Sequence, residues 1–139
     1  MISPSKSRIL RVRVRGRDVS YVVRVERGAL GRAGAHVRAA LSARGRAKGM
    51  VAVLVSDRTV ARLYGDRVAR SLQRAGFRVV RSAIAPGEAS KRFETVRALA
   101  ESWARAGLTR DAVVVALGGG VVSDTAGFAA AAYTRGLPW

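Results

Sequence analysis

Val113–Arg135 reads VVVALGGGVVSDTAGFAAAAYTR, an apolar β-like run that breaks into three glycines and resumes as a small-residue helix. A continuous apolar run of this length marks a strand buried on both faces, which in turn needs helices above and below it. Gly118, Gly119 and Gly120 stand where the strand hands over to the helix. Residues without Cβ let a phosphate come close to the backbone, and the free N–H groups of a helix start favour an anion. Asp124 follows one turn later and Arg135 eleven residues after that. A bare turn, a carboxylate and a guanidinium in this order suit a dinucleotide lying over a helix N-terminus. The spacing matches neither GxGxxG nor a Walker loop, and a tight βα turn without any ligand uses glycines in the same way.

Upstream, the same alternation repeats. Met50–Val55 (MVAVLV) is a second doubly buried strand. Thr59–Ala75 follows as a helix with Val60, Leu63, Tyr64, Val68 and Leu72 on its inner side, and Gly76 ends it. Phe77–Ile84 is the next strand, and Pro86-Gly87 turns the chain. Ser90 is placed to cap a helix from about Lys91 to Ala106, with Phe93, Val96, Ala100 and Trp103 facing inward and Gly107 closing it. Ala112–Leu117 and Val121–Tyr133 complete the series as strand and helix. Before all of these, Leu10–Arg15 alternates apolar residues with arginine, the period of a half-buried strand. Gly16-Arg17-Asp18 turns it back into Val19–Val25, and Leu30–Arg44 is a helix built on Leu30, Val37 and Leu41. The expected fold is α/β: a Rossmann-like parallel sheet with helices on both faces and an N-terminal β-hairpin.

Composition narrows the function. The 139 residues suit one domain, and 49% apolar content is that of a folded chain. Without cysteine there is neither a disulfide framework nor a thiolate metal site. The N-terminal residues lack an apolar signal segment, so a cytoplasmic location is expected. Ala112–Thr134 is long enough to suggest a membrane span, but three glycines and Ser-Asp-Thr at its centre make that reading costly. The net charge is +17, with 13 basic and 2 acidic side chains in residues 1–50 and 13 and 7 in the rest. Such an excess attracts polyanions through phosphate contacts. The arginines are nevertheless spread along the chain, with no zinc-finger spacing or RNP-like motif among them. No specific nucleic-acid partner and no membrane partner is therefore expected.

Several side chains carry candidate chemistry. Asp57 leaves the strand MVAVLVS at the end where open α/β sheets bind ligands, and a carboxylate there accepts hydrogen bonds from ribose hydroxyls. It equally suits the start of the following helix, where its charge meets the helix dipole, and the sequence leans to that use. Glu88 and Lys91, three residues apart in PGEASK, reach either a ligand in the same crevice or each other. Asp124, among Val121, Val122, Ala126 and Phe128, faces either a pocket or water; a buried carboxylate needs partners, such as a nicotinamide amide or a sugar hydroxyl. Arg135 suits a phosphate or carboxylate, or is one more surface arginine. His36, the single histidine, has no second ligand near it in sequence and reads as a surface or packing residue.

In order along the chain, these elements resemble the N-terminal domain of 3-dehydroquinate synthase. The resemblance rests on Ser56-Asp57, Pro86-Gly87-Glu88-Ala89-Ser90-Lys91, Arg110-Asp111, and Ala116 through Asp124. It continues through Ala126-Gly127-Phe128-Ala129-Ala130 and Tyr133-Thr134-Arg135-Gly136. It implies an NAD-dependent sugar-phosphate cyclase of the shikimate pathway, converting 3-deoxy-D-arabino-heptulosonate 7-phosphate to 3-dehydroquinate with loss of phosphate. In that scheme Asp57 holds the adenosine ribose, Glu88 and Lys91 lie further along the NAD, and Gly119, Gly120 and Val121 line its pyrophosphate–nicotinamide stretch. Asp124 meets the nicotinamide end and Arg135 the substrate phosphate.

Ser123 and Thr59 depart from the family, which commonly has glycine and asparagine there. The hydroxymethyl of Ser123 bears on a close helix contact or on the glycine loop. The resemblance further implies that residues 1–139 are an NAD-binding domain and that a helical domain binding zinc or cobalt would follow it. Truncation, weak NAD binding and no cyclase activity are therefore expected of this chain, with a homodimer possible in the family. The alternatives are the NAD-binding half of a related cyclase with another substrate, such as those making inosose or valiolone, and a standalone basic polyanion-binding module.

Overall fold

The computed structural model describes residues 7–13, 16, 20–46 and 51–139. Its centre is β3 (Val51–Asp57), which pairs in parallel with β4 (Arg78–Ile84) on one side and β5 (Ala112–Leu117) on the other. Val53 lies opposite Val80 in one neighbour and Val114 in the other. The strand period of two sends Ala52 and Leu54 to one face and Val53 and Val55 to the other, all of them buried.

Each face has its own core. Ala52 and Leu54 pack with Leu41 of α1 (Ala29–Ser42) and with Val68 and Leu72 of α3 (Asp66–Arg74). Val53 and Val55 pack with Leu99 and Trp103 of α4 (Phe93–Arg105) and with Val122, Ala126 and Ala130 of α5 (Gly120–Ala132). Two helices therefore cover each side of a parallel sheet, the α/β architecture expected. Trp103 is completely buried, with its indole N–H donating to Ser82 Oγ at 3.1 Å and its ring edge-on to Tyr133. No helix among the described residues is long and apolar enough to cross a membrane, and Ala112–Thr134 divides into β5, a turn and α5.

Three local expectations change. The helix after β3 is not uniform: α2 (Arg58–Val60) passes into a π-helical turn (Ala61–Gly65) before α3. A π turn takes an extra residue, so side chains within it rotate off the α stripe. Leu63 and Tyr64 are accordingly 61% and 46% exposed, while Val68 and Leu72 stay buried. Next, α4 starts at Phe93, not Lys91, because Ser90 belongs to a 3-10 turn (Glu88–Ser90) and its hydroxyl donates to Ala85 O at 2.6 Å. Ser90 is thus no cap. Phe93 in the first turn of α4 meets Phe128 edge-on at 5.8 Å and is 76% exposed, and Leu99 takes the inner position instead.

The third change concerns the hairpin. β1 (Arg8–Arg13) and β2 (Ser20–Val25) pair antiparallel, with Leu10 opposite Val23. They form their own two-stranded sheet, separate from the parallel one, so Leu10, Tyr21 and Val23 are exposed where a half-buried strand was expected. Val14, Arg15, Val19 and Met50, together with Arg17 and Asp18 of the expected turn, lie outside the described residues.

After α5 the chain makes a tight 3-10 turn (Tyr133–Arg135) in which Thr134 has φ 48° and Arg135 φ 66°. A β-branched residue in the left-handed region costs about 1–3 kcal/mol, so the surroundings must impose it. Leu137 N–H donates to Ala130 O at 2.8 Å, Tyr133 Oη to Leu108 O at 3.0 Å, and Arg110 Nε to Thr134 O at 3.3 Å.

Candidate functional site

Parallel pairing aligns the C-terminal ends of the strands. Asp57 is level with Ile84, and Ser56 with Leu117. Ser56 is buried, and its hydroxyl donates to Leu117 O at 2.6 Å, tying β3 to the end of β5. The turns after β3, β4 and β5 therefore open side by side along one edge, where open α/β sheets hold ligands.

Asp57 caps the helix that follows it. Its Oδ1 accepts from the N–H groups of Thr59 and Val60, both at 2.9 Å. The N-cap use, to which the sequence leaned, is therefore present. The second carboxylate oxygen has no partner among the described residues and stays open to a ligand hydroxyl.

The three glycines divide by cause. A Cβ on Gly118 would lie 2.6 Å from Cγ2 of Val122, so packing alone demands glycine there. Gly119 and Gly120 have no such reason. Neither has a positive φ, and a Cβ on either would meet nothing within 4 Å. They leave open space at the N-terminus of a thirteen-residue helix, whose first N–H groups face outward. Ser123 does not fill that space: its hydroxyl donates back to Gly120 O at 3.1 Å. Val121 is partly buried against the core, so its backbone is what it can offer a ligand.

Lys91 joins the second turn to the third. Its Nζ lies 2.9 Å from Glu88 Oε1 and 3.0 Å from Asp124 Oδ2. The hydrogen bond to Glu88, and after it that to Asp124, pushes the ammonium pKa above its ordinary value. Of the two surroundings that its neighbours in sequence allow, a pocket or water, Asp124 has water. Its side chain is 64% exposed, and Lys91 supplies its partner. Beside this pair runs a groove of about 210 Å³ between α4 and α5, walled by Phe93, Val96 and Phe128. Thr125 also lines it, and the buried Thr125 hydroxyl has no partner among the described residues.

Arg135 stands apart. It follows α5, whose thirteen residues carry the chain about 20 Å at 1.5 Å each. The turn that holds it is bonded to Leu108 and Arg110, which precede β5 at the opposite edge of the sheet. The structure thus gathers Asp57, Glu88, Lys91, Gly119, Gly120, Val121 and Asp124 along one edge and leaves Arg135 at the other. His36 binds Glu26 at 2.7 Å, and that hydrogen bond, with Arg32 nearby, holds the Glu26 carboxyl below its usual range. Among the described residues no three His, Asp or Glu side chains converge as a metal site would require. Sequence reasoning missed Ser56 as a tie between strands, although a hydroxyl ending an apolar strand was a visible signal. It also missed Thr125, which nothing in the sequence distinguishes from an ordinary helix residue.

Residues 81–139 match the family described as 3-dehydroquinate synthase N-terminal. A 3-dehydroquinate synthase from Symbiobacterium thermophilum is 44% identical over 118 residues, covering 85% of this chain and 32% of the relative. Among solved structures, a 2-epi-5-epi-valiolone synthase from Streptomyces hygroscopicus subsp. jinggangensis, with NAD+ and Zn2+ bound, is 34% identical. It superposes with a TM-score of 0.58 over 65% of this chain and 25% of that one. A 2-deoxy-scyllo-inosose synthase complexed with carbaglucose-6-phosphate, NAD+ and Co2+ is 27% identical, with a TM-score of 0.63 over 71% of this chain and 27% of that one. The chain spans about a quarter to a third of the length of the curated relatives it matches. With the match over residues 81–139 and 44% identity over 118 residues, the chain belongs to the 3-dehydroquinate synthase family, as that family's N-terminal domain.

Proposed function

We propose that residues 1–139 form an NAD-binding unit of a sugar-phosphate cyclase that converts 3-deoxy-D-arabino-heptulosonate 7-phosphate to 3-dehydroquinate. The observation that carries this reading is the pair Gly119 and Gly120. Their missing side chains answer no need of backbone or packing, and they clear the N-terminus of α5 for an anion. A pyrophosphate fits that cradle, with the first N–H groups of α5, that of Val121 among them, donating to it. The free oxygen of Asp57 accepts from the adenosine ribose, one turn along the same edge. Lys91, held between Glu88 and Asp124, orients the Asp124 carboxylate toward the nicotinamide end. When bound, NAD supplies reversible oxidation of a ring hydroxyl, which acidifies the adjacent proton so that phosphate can leave.

Arg135 is too far from its own glycine turn to share a ligand with it, so a contact from Arg135 to a substrate phosphate requires a second copy of the chain. By itself the chain binds cofactor without turnover. A second reading, the same half-site in a cyclase with another sugar phosphate, is favoured by the valiolone and inosose synthases among the similar structures.

Isothermal titration with NAD+ tests the reading. A saturable heat is expected, abolished by Gly120→Val, whose side chain occupies the open space while the fold, checked by circular dichroism, is kept. Absence of saturable heat at millimolar NAD+ would refute it.

A further inference from the structure

We propose that the outer face of the Arg58–Arg74 helical run, with its seam against α1, binds single-stranded nucleic acid without regard to sequence. Charge on this chain is distributed unevenly between the two layers. Residues 88–135, which build the α4–α5 side, hold six basic and five acidic side chains, whereas the described residues among 26–81 hold twelve and three. Arg58, Arg62, Arg67, Arg70 and Arg74 are all exposed, and none is within ion-pair distance of a carboxylate among the described residues, Arg70 acting on Asp66 only at longer range. Asp66, the single acid of the run, is taken by Arg81 at 2.6 Å. By contrast, Arg97 and Arg105 on α4 share Glu101.

The arginines also converge. Arg67, Arg70 and Arg74 follow each other at helical spacing on one side. Arg67 Nε lies 3.7 Å from where a Cβ of Gly31 would stand, and Arg74 Nη2 donates to Gly31 O at 3.4 Å. Guanidiniums from two turns of α3 thus meet over one glycine of α1. Like charges this close repel, and a run of phosphates relieves them through the forked donors of arginine. The π turn adds a second, independent feature. It puts Tyr64 outward, 46% exposed and three residues before Arg67, as a surface on which an unpaired base can stack. A membrane-binding helix would instead offer an apolar stripe; here Val68 and Leu72 are buried in the core, and Leu63 is a single outward aliphatic side chain, not a stripe. This surface lies across the sheet from the groove between α4 and α5.

The test is fluorescence anisotropy of a labelled twelve-nucleotide single-stranded DNA against the 139-residue chain across a salt series. Neutralising three phosphate contacts with Arg67→Gln, Arg70→Gln and Arg74→Gln together lowers the slope of log K against log salt by about 2, at about 0.7 per contact. Arg97→Gln with Arg105→Gln leaves the slope unchanged. Tyr64→Ala weakens single-strand binding several-fold and leaves duplex binding as it was. An unchanged slope in the triple variant, or an equal loss per charge in the Arg97/Arg105 control, overturns the assignment in favour of diffuse attraction. Tighter binding to phosphatidylserine vesicles than to DNA through the same arginines overturns the choice of partner. NAD+ titration of the triple variant stays as in the unaltered chain, so this proposal and the cofactor reading fail separately.

Discussion

Two glycines three residues apart in α1 should respond to alanine with opposite signs. A Cβ on Gly34 would stand 2.1 Å from Ser71 O and 2.6 Å from Ser71 C, both backbone atoms of α3. Ordinary contact requires about 3.5 Å, so α1 and α3 must part by about 1 Å or more. That separation stretches two hydrogen bonds that pass through Ser71, from Gly34 N–H to its hydroxyl at 3.0 Å and from the hydroxyl to Gly31 O at 2.9 Å. Losing both costs about 2 kcal/mol and overpacking about 2 more, while alanine in a helix returns about 1. The balance for Gly34→Ala is destabilisation by about 3 kcal/mol, or a melting temperature lower by about 10 °C. Gly31 meets only the flexible end of Arg67 at 3.7 Å, so Gly31→Ala keeps the helix gain and stabilises by about 0.5–1 kcal/mol. Urea unfolding followed by circular dichroism measures both. If the two substitutions shift the midpoint in the same direction, the close approach of α1 to α3 at Ser71 is wrong.

Asp57 offers a separation of fold from function. Asp57→Ala removes the cap and costs about 1 kcal/mol, while Asp57→Ser keeps an acceptor for Thr59 and Val60 and stays near the original stability. Both should weaken NAD+ in titration, because both lose the free carboxylate oxygen. At the other end of the domain, Thr134→Gly relieves a left-handed β-branched residue and should raise stability by about 1 kcal/mol in a thermal melt, after the entropy that glycine loses on folding. The Glu26 carboxyl has a lowered pKa in the folded chain, so its contribution is present above the unfolded value of 4.5 and is lost as pH falls through the folded one. Thermal melts from pH 7 to pH 3 should show this loss, and Glu26→Gln should flatten that part of the profile.

The layers of the fold were legible because burial writes itself into sequence. VAVLV and AVVVAL are apolar throughout since β3 and β5 have cores on both faces, and glycines at 76 and 107 end helices where the backbone turns left-handed. What hid was whatever a local pattern does not encode. A π turn leaves no period of its own, so Leu63 and Tyr64 read as inner residues although the extra residue rotates them out. Ser90 has the chemistry of a cap, yet Ala85 O lies within reach of its hydroxyl and the helix starts later. The hairpin alternates like a half-buried strand because its two sides do differ, but alternation does not say whether anything covers the apolar one.

The site follows the same division. Gly119, Gly120 and Asp124 lie together because one helical turn is a short, rigid ruler. Over the whole length of α5 the same ruler sets Arg135 at a distance. A straight α5 carries residue 135 away from residue 120 at 1.5 Å per step, so neighbours in a motif become opposite ends of a domain. Lys91 shows the converse, for it reaches Asp124 across thirty-three positions of sequence because β4 and β5 flank the same strand and their turns open on one edge. Ligand chemistry on this chain is therefore organised by the edge of the sheet, and a motif contributes to it only as far as its helix stays near that edge.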